Sequence, residues 1–143
     1  RRSRGYAPAV VARLPTTDPI LAVGADLKNT IALCIDSDVM VSQHIGDLEH
    51  HDARAAFEKA IDDFLQLYDI DPAQLIVAHD RHPQYASTQF ALSLPARLHV
   101  AVQHHRAHLA SVLAERESLA TRVLGVAFDG TGFGDDGAGG LAQ

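Results

Sequence analysis

Two histidines four residues apart, His104 and His108, carry the sharpest chemical signal in this sequence. They stand where an apolar run over residues 98–102 gives way to a helix-like run over 104–115. A helix starting there stacks both imidazoles on one face, one turn apart. Two neutral imidazoles so placed can share one metal ion, as they do in the His-Glu-x-x-His pattern. A zinc or iron site needs further ligands. Asp129, at the end of the next apolar run, is the candidate for one of them. The plainer alternative is a pair of histidines solvated or bonded to backbone at a helix start. Position favours the site, because α/β sheets take ligands where a strand end feeds a helix. His105 points about 100° away from His104 on such a helix and fits the same metal less well.

Three other clusters bear chemistry. Gly24, Asp26, Lys28 and Thr30 share a turn after an apolar run, where backbone N–H groups, a cation and a hydroxyl can hold a phosphate. An ordinary hairpin loop explains the same residues and is the preferred reading on this pattern alone. Residues 79–85 place His79, Asp80, Arg81 and His82 at the end of a short apolar strand. They either line the cleft of His104 and His108, or they make a turn with Asp80 or Ser87 capping the next helix. Asp129-Gly130-Thr131-Gly132 follows a buried-looking strand in the same way. Its glycines allow close backbone approach and its acid can hold a metal or a water.

The elements that must position these groups follow from pattern. Residues 1–19 contain Pro8, Pro15 and Pro19 without a helical period, and read as a linker or the tail of a preceding domain. Short apolar runs at 20–23, 31–35 and 39–45, separated by turn residues, predict an antiparallel meander. Phe57, Ala60, Ile61, Phe64, Leu65 and Tyr68 keep a helical period, with Asp52 as the expected N-cap and Asp71-Pro72 as the stop. A fourth strand at 75–78, a helix at 87–93, a fifth strand at 98–102, a third helix at 104–115 and a sixth strand at 123–128 complete the order. The fold class expected is α/β, a ribonuclease-H-like lobe of the actin and sugar-kinase type. It has a mixed five-stranded sheet with helices on both faces, plus the first strand of a second lobe. The corresponding division is 1–19, 20–120 and 121–143.

Composition sets the boundaries of function. At 143 residues there is room for one domain with its own core. An apolar content of 47% with 21% charged argues against disorder. A net charge of −6 without a basic block argues against duplex nucleic acid as a partner. Cys34 is the one cysteine, so an internal disulfide is excluded and a reducing, cytoplasmic setting is expected. Within its apolar run it reads as core rather than nucleophile. No run has the length of a membrane-spanning helix. The missing initiator methionine and the Gly-rich end lead to the expectation of a piece of a longer protein.

Six motifs in order then resemble the HypF carbamoyltransferase family of hydrogenase maturation factors. They are Arg1-Arg2-Ser3-Arg4-Gly5-Tyr6-Ala7-Pro8, Gly24-Ala25-Asp26-Leu27-Lys28-Asn29-Thr30, Ser42-Gln43-His44-Ile45-Gly46-Asp47-Leu48, His79-Asp80-Arg81-His82-Pro83-Gln84-Tyr85, Gln103-His104-His105-Arg106-Ala107-His108 and Phe128-Asp129-Gly130-Thr131-Gly132-Phe133-Gly134. The resemblance implies the end of a YrdC-like domain followed by the first lobe of a domain related to tRNA threonylcarbamoyl transferases. It implies use of carbamoyl phosphate and ATP to make carbamoyl-adenylate. The carbamoyl group then passes to the C-terminal cysteine of a HypE-like partner, where it becomes the cyanide ligand of nickel–iron hydrogenase.

The resemblance also implies residue roles. His104 and His108 correspond to metal ligands, for zinc, iron or magnesium. Gly24, Asp26, Lys28, Asn29 and Thr30, with Asp129, Gly130, Thr131 and Gly132, fall on the turns that contact nucleotide. Asp129 is the candidate for nucleotide or metal contact, and His82 is a candidate to touch substrate or support the metal ligands. One departure is visible: the family pattern continues Asp-Asp-Gly-x-x-Trp-Gly-Gly-Glu, whereas here Asp135-Asp136-Gly137-Ala138-Gly139-Gly140 lacks the Trp and Glu. The second lobe, and with it half of the nucleotide cleft, is also missing, so the chain by itself is expected to be inactive as a transferase. The competing expectations are a non-catalytic metal- or partner-binding module and the ATP-binding lobe of a sugar-kinase-like enzyme.

Overall fold

A computed structural model describes residues 9–129 and, as backbone, the two-residue strands Gly132–Phe133 and Gly139–Gly140. Six strands form the main sheet: β1 (Val10–Arg13), β2 (Ile20–Ala22), β3 (Ala32–Ile35), β4 (Asp38–Val41), β5 (Ile76–Asp80) and β6 (Leu98–Val102). Their order is β1-β4-β3-β2-β5-β6. The first four pair antiparallel, and β5 and β6 add in parallel beyond β2. Asp36 and Ser37, with φ of 48° and 76°, make the two-residue β3–β4 hairpin turn, whose left-handed pair matches strand twist.

Alternation along the strands sorts the two faces of the sheet. Leu21 lies opposite Leu33 and Val77 in register, and all three are fully buried. Helix α1 (His51–Leu67) lays Phe57, Ile61, Phe64 and Leu65 on that face. Helix α2 (Ala86–Ser93) follows on it, with Phe90 edge-on to Phe57 at 5.2 Å between ring centres. The next residues in register, Ala22, Ala32 and Ala78, face the other way. These small side chains fill little space, so a cavity of about 370 Å³ remains between them and helix α3 (His104–Glu115).

Three details differ from expectation. The sheet has six strands rather than five, because Val10–Arg13, within the stretch read as linker or tail, pairs with β4. An edge strand tolerates nearby prolines, and Arg13 Nε adds an ion pair to Asp38 at 3.0 Å. Asp52 is in the first turn of α1 rather than at its N-cap, which is His50 without a side-chain bond. Asp52 there still complements the helix dipole. Residues 123–128 form no strand, and Leu124 and Phe128 are 97% and 99% exposed. An apolar run becomes a strand only where another edge takes up its N–H and C=O groups, and no described strand runs beside it. No described helix is long and apolar enough to cross a membrane.

Candidate metal centre and its cleft

The end of β6 sets the geometry of the site. Gln103 is the N-cap of α3, and its side-chain oxygen accepts the Arg106 N–H at 2.9 Å. The helix therefore starts at His104, as the sequence requires for the pair to stack. The imidazoles of His104 and His108 lie 4.9 Å apart, with their Nε2 atoms 3.2 Å from each other. His105 turns toward Gln103 and is not part of the group.

Asp129 comes back across the top of this helix. Its Oδ2 lies 2.9 Å from His104 Nε2 and 3.0 Å from His108 Nε2. The three donor atoms are all within 4.8 Å of one another. Around a tetrahedral ion with bonds of ~2.0–2.1 Å, ligand atoms sit roughly 3.3 Å apart, so the observed 2.9–3.2 Å would have to open by a few tenths of an ångström to admit one. Two imidazoles and a carboxylate are also a donor set for zinc or iron.

The hydrogen bonding points the same way. His104 Nδ1 lies 2.8 Å from Oδ2 of Asp80, and a carboxylate oxygen is an acceptor for a ring N–H. Nδ1 therefore carries the proton, and in the neutral ring Nε2 is a lone pair. That lone pair faces a second carboxylate, Asp129, at 2.9 Å. Two acceptors at that distance repel unless a second proton or a cation lies between them.

The other residues singled out from sequence divide into two groups. Gly24 and Thr30 line the cavity with Asp80, His104 and His108. Lys28 lies at a wider opening of about 710 Å³ with Tyr85, His104, His108 and Asp129. Asp26 is not free for a phosphate: its carboxylate accepts the N–H groups of Ala86 and Ser87 at 2.9 and 3.0 Å and the Ser87 hydroxyl at 3.0 Å. It caps α2 from sixty residues away, the role the sequence offered to Asp80 or Ser87. Asn29 is also structural. It is 2% exposed, and its amide donates to Val23 O and Ala25 O, closing the Gly24 turn. Gly130 and Thr131 lie outside the described residues, and Gly132 opens the short strand Gly132–Phe133.

His82 lines a neighbouring hollow of about 400 Å³ with Asp26, Arg54 and Tyr85. Its ring stacks on that of Tyr85 at 4.2 Å and 13°. Tyr85, which lines both that hollow and the cleft, has no counterpart among the sequence-derived candidates. Burial, then the charges of Asp80, Asp26 and Asp129, raise its pKa above the usual phenol value, so it remains a neutral O–H donor. Asp80 lines the cleft with His104 and His108, the first of the two places the sequence offered it, because alternation along β5 turns Val77 to the core and Ala78 and Asp80 to the cleft.

Comparison with known proteins finds relatives in both sequence and fold. Residues 15–115 match the family model for the HypF Kae1-like domain. The chain is 44% identical over 140 residues to carbamoyltransferase HypF of Synechocystis sp., covering 96% of this chain and 18% of that protein. It is 41% identical over 140 residues to carbamoyltransferase HypF2 of Cupriavidus necator, covering 96% of this chain and 17% of the relative. Among solved structures, it is similar to full-length HypF in its phosphate- and nucleotide-bound form, with a TM-score of 0.81, 42% identity, and coverage of 96% of this chain and 18% of that one. The T. kodakarensis HypF structure gives a TM-score of 0.81 at 35% identity, covering 97% of this chain and 18% of that one. The chain thus spans less than a fifth of the length of these relatives.

Proposed function

The chain belongs to the HypF family, and on that premise we propose that it supplies the metal-holding lobe of a carbamoyltransferase. The reaction proposed takes carbamoyl phosphate and ATP to carbamoyl-adenylate. It then passes the carbamoyl group to the C-terminal cysteine thiolate of a HypE-like partner in hydrogenase maturation. The observation that carries the metal reading is the convergence of His104 Nε2, His108 Nε2 and Asp129 Oδ2 at 2.9–3.2 Å from one another. Use of ATP and carbamoyl phosphate fits a cytoplasmic reaction.

His104, His108 and Asp129 would hold a divalent ion, which would supply Lewis acidity toward a phosphate or carbonyl oxygen. The two imidazoles favour zinc or iron over magnesium, which prefers oxygen ligands. Gly24 and Thr30 both line the cleft, so a phosphate there would meet their turn. Lys28 brings a cation to the opening, and Tyr85 offers a neutral O–H there for developing negative charge. The thiolate acceptor comes from the partner. Cys34 has no part in this reaction: it is 3% exposed in β3, and burial, then Asp38, push its thiol pKa up.

The strand order supports a ribonuclease-H-like lobe over residues 20–120: an antiparallel β4-β3-β2 meander extended in parallel by β5 and β6. On this reading residues 121–143 open a second lobe, and residues 1–19 are the tail of a YrdC-like domain whose last strand joins the sheet as β1. The test is ATP-dependent transfer from carbamoyl phosphate to a partner peptide ending in cysteine, measured in the enzyme carrying this chain. His104→Ala and His108→Ala are expected to abolish transfer, while Lys59→Ala, an exposed residue on α1, leaves it unchanged. Undiminished transfer in both histidine variants overturns the reading and favours a sugar-kinase-like lobe, for which the pair is dispensable.

A further inference from the structure

Asp80 is a carboxylate where alternation would otherwise place a small apolar residue. Its side chain is 6% exposed, and burying an ionised carboxylate is costly unless strong partners compensate. Its two oxygens are used separately. Oδ1 accepts the backbone N–H of His82 at 2.8 Å, and Oδ2 accepts Nδ1–H of His104 at 2.8 Å. The strand holds the residue firmly, since its own carbonyl accepts the Thr88 hydroxyl from α2 at 3.0 Å. Asp80 therefore joins three parts: the end of β5, the loop that carries the stacked His82–Tyr85 pair, and the first turn of α3.

We infer that Asp80 is a positioning residue that holds His104 in the Nδ1–H tautomer, and so aims its Nε2 lone pair at the metal. The inference rests on the metal reading above and deepens it. A carboxylate behind an imidazole fixes ring orientation and tautomer, and makes the opposite nitrogen a stronger donor. Through Oδ1, the same residue ties the loop bearing Tyr85 to the metal ligand, so the phenol and the ion share one rigid frame. His108 has no such partner from β5; its ring is 56% exposed against 23% for His104. The two ligands are thus unequal, with His104 the oriented one.

Two measurements on the full chain decide this. The first is the tautomer of His104 in the metal-free protein at alkaline pH, where imidazoles are neutral, read from long-range proton–nitrogen correlations and assigned with His104→Gln. Nδ1–H is expected. The second is zinc affinity by competition with a chelator. Asp80→Asn, which keeps the shape of the side chain, is expected to weaken zinc binding about 10–100-fold and to alter the visible spectrum of the cobalt-substituted protein. Unchanged zinc affinity in His108→Ala overturns the metal reading itself. An Nε2–H tautomer in the unmodified protein, or unchanged zinc affinity in Asp80→Asn where His108→Ala is impaired, overturns the role of Asp80. The tautomer of the unmodified protein decides even where Asp80→Asn folds poorly.

Discussion

Gly24→Ala tests the turn that forms one wall of the cleft. Gly24 has a φ of +70°, and a Cβ built there would lie 2.6 Å from the Thr30 carbonyl oxygen and 3.0 Å from Asn29 Nδ2. The left-handed backbone alone costs an alanine about 1–2 kcal/mol. The clash adds to this, because its nearest atom is backbone and its second neighbour is the amide that bonds Val23 O and Ala25 O. Overpacking of this kind costs about 1–3 kcal/mol. The sum is about 2–5 kcal/mol, out of a total stability on the order of 5–15 kcal/mol. With a urea slope of about 1–3 kcal/mol per molar, the midpoint should fall by about 1 M or more, with little change in slope. Gly46→Ala separates the two terms. Gly46 has a φ of +113°, but its added Cβ would meet only Ala53 Cβ at 3.9 Å, so that variant should show the conformational cost alone. A Gly24→Ala loss below about 0.5 kcal/mol, within the range of neutral surface changes, would refute the closed geometry of this turn.

Other consequences follow from the same contacts. Asp26→Ala removes the acceptor of three bonds at the start of α2 and should cost about 1–2 kcal/mol in chemical denaturation, while zinc affinity stays within about twofold. A large loss of metal or nucleotide binding without a loss of stability would instead return Asp26 to the phosphate site. Cys34 should react slowly with a thiol reagent in the native protein near pH 8, since its raised pKa leaves little thiolate, and rapidly once unfolded. Equal rates in both states would contradict its burial. Tyr85 should form phenolate only above the ordinary value of about 10, as followed by ultraviolet difference absorption of wild type against Tyr85→Phe. The folded state holds that proton more tightly. Its contribution to stability is therefore complete below about pH 10 and is lost as pH rises through the folded value.

The sequence reveals those features whose signal is local. The α1 stripe from Phe57 to Leu65 repeats at the helical period, so both its existence and its buried face are legible. The strand-to-helix change at Gln103 is equally sharp, and it places His104 and His108 on one turn before any coordinates are known. What was not legible depends on distant partners. Val10–Arg13 is a strand only because β4 offers an edge to it. Residues 123–128 have the apolar composition of a strand but no described edge to join. Asp26 looks like a turn acid until α2 arrives with its unpaired N–H groups. The return of Asp129 to the histidine pair, and the splitting of the Asp80 oxygens between a loop and a helix, are also non-local. Spacing and the resemblance to HypF both pointed to the histidine pair as metal ligands, with Asp129 as a candidate beside them, whereas the structure brings Asp129 onto both rings and sets Asp80 behind His104.

The most direct test of this account is the zinc stoichiometry and X-ray absorption of the metal-loaded full chain, compared with His104→Ala, His108→Ala and Asp129→Asn. The account predicts about one zinc per chain, with nitrogen and oxygen but no sulfur in its coordination sphere, and a large loss of affinity in each variant. Stoichiometric zinc retained at undiminished affinity by all three variants, or a sphere containing sulfur, would contradict it.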